Sequence, residues 1–316
     1  MGNYKIKGKD YIRGKLVYDG EYRSNKKWNG KIYDMNGNIL YQLIKGNGSI
    51  REYNDIDIIK FEGKYINGKK NGKGKEYNYN QEIKYEGEYF NDEKRKGKEY
   101  IKGKLVYEGE YLLNKKWNGK GYDLEGNLIY QLNSGNGMIK ELDDFDGKLV
   151  FEGQILNGKK NGKGRDYSWY NSELIFEGEY LNDYKIKGKE YIKGKIVYEG
   201  EYLSNKKWNG NFYEINSNKV YKLINGIFNG KGLAREYSYR GNLSYEGKYL
   251  NGRKNGDGKE YNDDGELIFE GEYLNDYKRK GKEYIKGKLV YKGEYLSNKK
   301  WNGEGYDENG NLPKYS

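Results

Sequence analysis

Polar and apolar residues alternate along most of this chain. In Leu267-Ile268-Phe269-Glu270-Gly271-Glu272-Tyr273, residues 267, 269, 271 and 273 share one face, and Glu270 and Glu272 take the other. That period of two predicts a half-buried β-strand. The stretch Tyr85-Glu86-Gly87-Glu88-Tyr89 has the same aromatic–acid–glycine–acid–aromatic core. Close variants begin at Tyr18, Phe61, Tyr107, Phe151, Phe176, Tyr198, Tyr245, Phe269 and Tyr291. A second strand type follows, as in Gly74-Lys75-Glu76-Tyr77 and Gly281-Lys282-Glu283-Tyr284-Ile285. Between the two lies a basic connection such as Asn67-Gly68-Lys69-Lys70-Asn71-Gly72, suited to a hairpin with positive-φ residues. Between modules, Lys102-Gly103, Lys193-Gly194, Lys286-Gly287 and Asn309-Gly310 fit two-residue turns. No helical period of comparable strength is present.

If every link is a tight turn, sequential strands are antiparallel neighbours. The predicted fold is all-β: an elongated single-layer antiparallel meander of stacked β-hairpins. One continuous array covers 1–316, with a half-module over 1–17 (its strand from Tyr4 to Tyr11), about thirteen modules over 18–312 and a short C-terminal end, 313–316. About 26 strands would extend on the order of 120 Å as a rod. Glycine normally weakens a strand, so its recurrence predicts a ring from the neighbouring strand lying over bare backbone. Three modules are degenerate: those beginning at Tyr41, Tyr130 and Tyr221 carry Leu43, Leu132 and Leu223 in place of the central glycine. Each follows a module with Lys-Lys-Trp. Trp28, Trp117, Trp208 and Trp301 stand 89, 91 and 93 residues apart, which marks a duplicated block of four modules. The only proline, Pro313, falls where earlier copies continue as a strand, and it would stop another strand from adding.

Composition narrows the chemistry. Hydrophobic residues are 34% of the 316, below the ~45–50% of ordinary domains, so a large core is not expected. The 38 tyrosines recur in register, which argues against disorder. A net charge of +11 favours anionic partners, although AT-rich coding would also enrich Lys, Asn, Ile and Tyr. Cysteine and histidine are both absent. Disulfides, thiol chemistry, Cys/His metal sites and His-based catalysis are thereby excluded. A carboxylate-only metal site or a lysine-based enzyme remains formally open. Met1-Gly2-Asn3-Tyr4-Lys5-Ile6 lacks an apolar leader, and Ile6 stands where a myristoylation motif wants Ser or Thr. No apolar run nears the ~20 residues of a membrane span. The expected location is cytoplasmic, with peripheral membrane or cytoskeletal association as the variant.

The unit Phe61-Glu62-Gly63-Lys64-Tyr65-Ile66-Asn67-Gly68-Lys69-Lys70-Asn71-Gly72-Lys73-Gly74 resembles the MORN (membrane occupation and recognition nexus) repeat. Residues 245–258 match equally well, and 151–164 nearly so, with Ile155 for the second aromatic. The resemblance covers nearly the whole chain. Asn71, Asn161 and Asn255 stand where that family often has histidine, and Lys96, Lys187 and Lys280 break its Gly-x-Gly. The latter departure predicts a less closely covered second strand in those modules. The resemblance implies an open single-layer sheet of hairpins. It also implies a scaffold role, with membrane- or cytoskeleton-associated, catalytic-domain-linked and bacterial antitoxin-like relatives.

The candidate chemistry is repetitive. Glu86 and Glu88 would stand ~6.6 Å apart on one face, a separation compatible with two-carboxylate catalysis. The pair recurs at Glu108/Glu110, Glu177/Glu179, Glu199/Glu201 and Glu270/Glu272, which reads as a solvated face rather than one site. Gly68 to Gly74 is one residue short of a P-loop and has Gly74 where a magnesium-binding hydroxyl is required. The basic turns carry more information. Lys26/Lys27, Lys69/Lys70, Lys94/Arg95/Lys96, Lys115/Lys116, Lys159/Lys160, Lys206/Lys207, Arg253/Lys254, Lys278/Arg279/Lys280 and Lys299/Lys300 are placed in one set of turns, forming a basic edge. Trp28, Trp117, Trp208 and Trp301 would lie on it, either facing a partner or folded over their own hairpins. Trp169 is assigned to packing.

These features predict a non-enzymatic scaffold without cofactors that binds protein partners or itself. The alternative is an edge that binds anionic phospholipid, and a third reading is an antitoxin-like regulatory module. Glutamate rows oppose specific nucleic-acid binding.

Overall fold

Alternation of period two does produce strands. The computed structural model describes residues 5–215, 220–224, 227–229, 234–238, 240–307 and 311, and among these it has 28 strands and no helix. Consecutive strands pair antiparallel in open sheets, none closed into a barrel. The chain divides into two units, 1–159 and 160–316. In the first, strands from Lys5–Ile12 to Ile39–Leu43 form a four-stranded sheet, and those from Gly48–Tyr53 to Leu128–Leu132 an eight-stranded one. In the second, strands from Ala234–Tyr237 to Lys299–Gly305 form a seven-stranded sheet. Tyr4, the Asn309-Gly310 turn and Pro313 lie outside the described residues.

A single-layer sheet has no second layer to bury its rings, yet Phe61, Tyr85, Tyr107, Tyr198, Tyr245 and Phe269 are fully buried. The glycines explain this. Gly87 pairs with Gly97, and a Cβ on either would stand 2.4 or 2.5 Å from the Tyr85 hydroxyl. The covering ring therefore comes from two residues earlier on the glycine's own strand, not from the neighbouring strand as expected. It reaches over both glycines because same-face residues on a strand are only ~6.7 Å apart. The rings then meet edge to face. Phe61–Tyr89, Tyr89–Tyr85, Tyr85–Tyr111 and Tyr111–Tyr107 have centroids 5.4, 5.5, 5.6 and 5.5 Å apart. Tyr245, Tyr273, Phe269, Tyr295 and Tyr291 continue the same way in the second unit. Each such pair contributes about 0.5–1.5 kcal/mol beyond area burial, so the core is a stripe of rings along one sheet face.

The turns within modules are tighter than the sequence suggested. Links between modules at 34–38, 54–58 and 78–82 are five residues long, which corrects the expectation that every link is a tight turn. Asn67-Gly68, Asn91-Asp92 and Lys102-Gly103 each put both residues in the left-handed region, the type I′ arrangement. Strand resumes at once, as Lys69–Tyr77 and Glu93–Ile101. The surplus residues are absorbed as β-bulges opposite Tyr65 and Tyr89. Modules containing Asn71-Gly72 or Asn255-Gly256 have one residue more than those containing Lys96 or Lys280, and they place that glycine at φ +84. Lys96, Lys187 and Lys280 are thus not glycine replacements. The expectation of poorer cover there is corrected: Gly97, Gly188 and Gly281 pair with Gly87, Gly178 and Gly271 and lie under the same rings.

In the degenerate modules Leu43, Leu132 and Leu223 stand opposite Gly30, Gly119 and Gly210 and are almost fully buried. Gly30, Gly119 and Gly210 themselves still lie under Tyr18, Tyr107 and Tyr198. After the first two, the ladder narrows to single bridges, Ile44–Asn47 and Asn133–Asn136.

Candidate binding edge

The basic pairs do not form one surface. Their second members lie in the returning strand, opposite the second aromatic of the module, and so point toward the ring stripe. Lys27, Lys70, Lys116, Lys207, Lys254 and Lys300 hold Nζ 3.9–5.2 Å from the ring centres of Tyr18, Phe61, Tyr107, Tyr198, Tyr245 and Tyr291. Lys160 lies 5.7 Å from Tyr180, and Lys94 and Lys278 lie over Tyr85 and Phe269. Each ammonium also meets a carboxylate from a type-two strand. Glu76 lies 3.5 Å from Lys70 and 3.0 Å from Lys94, and Glu260 lies 3.4 Å from Lys254 and 2.9 Å from Lys278. Lys116 meets Glu99 at 2.9 Å, Lys160 meets Asp166 at 3.2 Å and Lys207 meets Glu190 at 2.8 Å. Burial works against the charged form of Glu76, Glu190 and Glu260, but the lysines beside them outweigh it and hold the carboxyls below the ordinary range. Burial likewise opposes the Lys116 ammonium, and Glu99 keeps it charged. The sequence placed these lysines in solvated turns; the bulge turns them over the rings, where all but the exposed Lys300 are half-buried.

The first members, Lys26, Lys69, Lys115, Lys159, Lys206, Arg253 and Lys299, stay at the edge. Lys26 and Lys206 are paired with Asp92 and Asp276, at 3.6 and 2.8 Å. Lys69, Lys159, Arg253 and Lys299 have no ion-pair partner among the described residues. Successive turns are tied together at the same edge. The Asp92 carboxylate accepts from the Lys70 N–H at 2.7 Å, and the Asp92 N–H donates to the Lys70 carbonyl at 3.0 Å. Asn114, Asn205, Asp276 and Asn298 accept in the same way from Lys94, Lys185, Lys254 and Lys278.

The tryptophans occupy bulge positions, and the degenerate modules explain why they recur with them. The Gly46 N–H donates to the Trp28 carbonyl and the Gly68 N–H to the Gly46 carbonyl; Gly135, Trp117 and Gly158 repeat the arrangement. Gly46 and Gly135 have φ +74 and +71, and a Cβ would stand 2.8 and 2.6 Å from the indoles. Trp28 and Trp117 are thus half-buried under the loop of the next module, and Trp28 also lies against Arg23 of its own hairpin, 4.9 Å from the ring centre. Trp208 is half-buried and Trp301 is 72% exposed. Trp169, assigned to packing, is also 72% exposed, in a turn beside Tyr170.

One set of edge residues escaped the sequence reading. The residue after the second aromatic is Ile66, Phe90, Leu112, Leu156, Leu181, Leu203, Leu250, Leu274 or Leu296, and all nine are between 39% and 58% exposed. They lie on the glutamate-bearing face, next to the turns. The signal was available: an apolar side chain follows the alternation onto the polar face in nine modules. The glutamates of that face pair across strands, Glu86 with Lys98 and Glu88 with Lys96. The hollows between these rows, about 610 Å³ in each unit, are floored by glycine backbone. Among the described residues no group of three or more carboxylates could hold a metal ion.

No family model matches the chain, and no curated protein matches it. Two solved structures, TcdB2-TccC3 without its hypervariable C-terminal region and TcdB2-TccC3-TEV, are similar at 12% and 10% identity, with TM-scores of 0.18 and 0.16. The alignments cover 96% and 98% of this chain but only 19% and 20% of theirs. Scores at that level carry no argument about fold or function.

Proposed function

We propose that this chain is a non-enzymatic repeat scaffold of the MORN type that holds protein partners along the turn edge of its modules. The observation that supports this reading is the exposed apolar side chain that recurs beside the turn in nine modules, four in the first unit and five in the second. The other repeated groups have structural partners: rings cover glycines, inner lysines cover rings, and glutamates face lysines. Of the nine, Phe90 alone has a cation, Arg95, packed over its ring; burying one such side chain contributes on the order of 1 kcal/mol. The test is affinity capture from the host with the natural chain and with a variant carrying serine at all nine positions. Loss of partners at an unchanged melting temperature is the expected result. Full retention of partners would remove the edge from the account.

Peripheral binding to anionic phospholipid is the second reading, favoured by Trp301 beside Lys299 and Leu296. Co-sedimentation at low salt decides it: equal retention by anionic and neutral vesicles would end it.

A further inference from the structure

Within the seven-stranded sheet, Leu250, Leu274 and Leu296 end successive first strands, with one return strand between each. At about 4.8 Å per strand they recur every ~9.6 Å. Across the turns from Leu250 and Leu296 stand Arg253 and Lys299, both exposed and without an ion-pair partner among the described residues. Trp301 closes the row. Ile66, Phe90 and Leu112 repeat the spacing in the eight-stranded sheet, with Lys69 across the turn from Ile66 and Glu93 across the turn from Phe90.

We propose, building on the edge reading above, that each such row takes an acidic protein segment in the polyproline II conformation with an apolar residue at every third position. The argument is one of period and charge. A polyproline II helix has three residues per turn and ~3.1 Å rise, so one face returns every ~9.3 Å. A β-strand returns every ~6.7 Å and an α-helical heptad every ~10.5 Å. Only the first stays in step with the row. The unpaired cations select carboxylates and disfavour a second copy of the chain, which would bring the same cations. An indole at the end of the row is the kind of platform on which proline-rich segments dock. The two-residue turns beyond the row, Asn251-Gly252, Asn275-Asp276 and Ser297-Asn298, carry no cation, which offers a bilayer less than it offers a carboxylate beside Arg253 or Lys299.

The experiment is fluorescence anisotropy on the full chain with a labelled peptide of repeated Pro-Glu-Leu. Its comparisons are a scrambled peptide of the same composition, a repeated Pro-Lys-Leu peptide, and vesicles of phosphatidylserine in phosphatidylcholine. Binding of the acidic period-three peptide is expected, weakened about tenfold or more by scrambling and lost with serine at every row position. Lys69→Glu, Lys159→Glu, Arg253→Glu and Lys299→Glu together should shift the preference to the lysine peptide. Equal binding of ordered and scrambled peptides overturns the proposal, as does vesicle binding without peptide binding. If it falls in this way while the serine variant still loses its host partners, the edge reading survives and only the occupant is wrong. If the partners are retained, both fall.

Discussion

A methyl group at Gly97 would stand 2.5 Å from the Tyr85 hydroxyl and 2.5 Å from the Glu86 carbonyl, with no flexible neighbour to yield. Gly97→Ala should therefore cost about 1–3 kcal/mol in chemical denaturation, the range for overpacking. Gly103 has nothing within 4 Å and φ +72, so Gly103→Ala should cost only the left-handed backbone, about 1–2 kcal/mol. Equal and negligible costs would show that rings do not rest on these glycines. At this scale the sequence revealed the ring–glycine partnership but misassigned the ring's strand. It also missed the inward lysines. Their charge reads as a solvated turn, and what turns them inward is an extra residue in the bulge, which an alternating pattern does not reveal. The leucine row was visible, but as single apolar residues among charges it looked unremarkable.

At the scale of the hairpin, the two-residue turns Lys102-Gly103, Lys193-Gly194 and Lys286-Gly287 were legible from their x-Gly pairs, whereas the five-residue links at 34–38, 54–58 and 78–82 were not. The turn within each module was not, because Lys-Lys-Asn-Gly looks like loop and is strand. The coupling of tryptophan to the degenerate module was visible as a spacing, without its cause. The cause is Gly135, pressed on Trp117 and bonded to its carbonyl and to Gly158. Trp117→Ala should leave that loop without its floor. Hydrogen exchange at Gly135 and Gly158 should then accelerate by an order of magnitude or more while amides of Ile83–Phe90 keep their rates. Unchanged exchange at Gly135 would mean that the indole does not hold the joint.

Across the whole molecule, stability is a sum over neighbouring modules, so titration of the repeated groups adds up. Glu76, Glu190 and Glu260 have lowered folded-state pKa values, so the stability they contribute is present above the ordinary carboxyl value of 4.5 and is lost as pH falls through their folded values. Tyrosines behave in the opposite sense. Burial, then bonds to Glu86, Glu177 and Glu270, push Tyr100, Tyr191 and Tyr284 up to about 12. Burial raises Tyr85 and Tyr89 further. Their stability is present below the ordinary value of 10.0 and is lost as pH rises through about 12. Melting temperature should thus fall below about pH 4.5 and again above pH 10. Phenolate absorbance should rise together with unfolding at the alkaline end. Full tyrosine ionisation near pH 10 with the fold intact would contradict the buried stripe.

The central claim is that the repeated core is structural and the apolar row is the contact surface. Site-specific photo-cross-linking in the host tests it most directly, with the cross-linker placed in turn at Leu274 in the row and at Lys282 on the open face. The account predicts partner adducts from Leu274 and few from Lys282. Adducts from Lys282 alone, or from both alike, would contradict it.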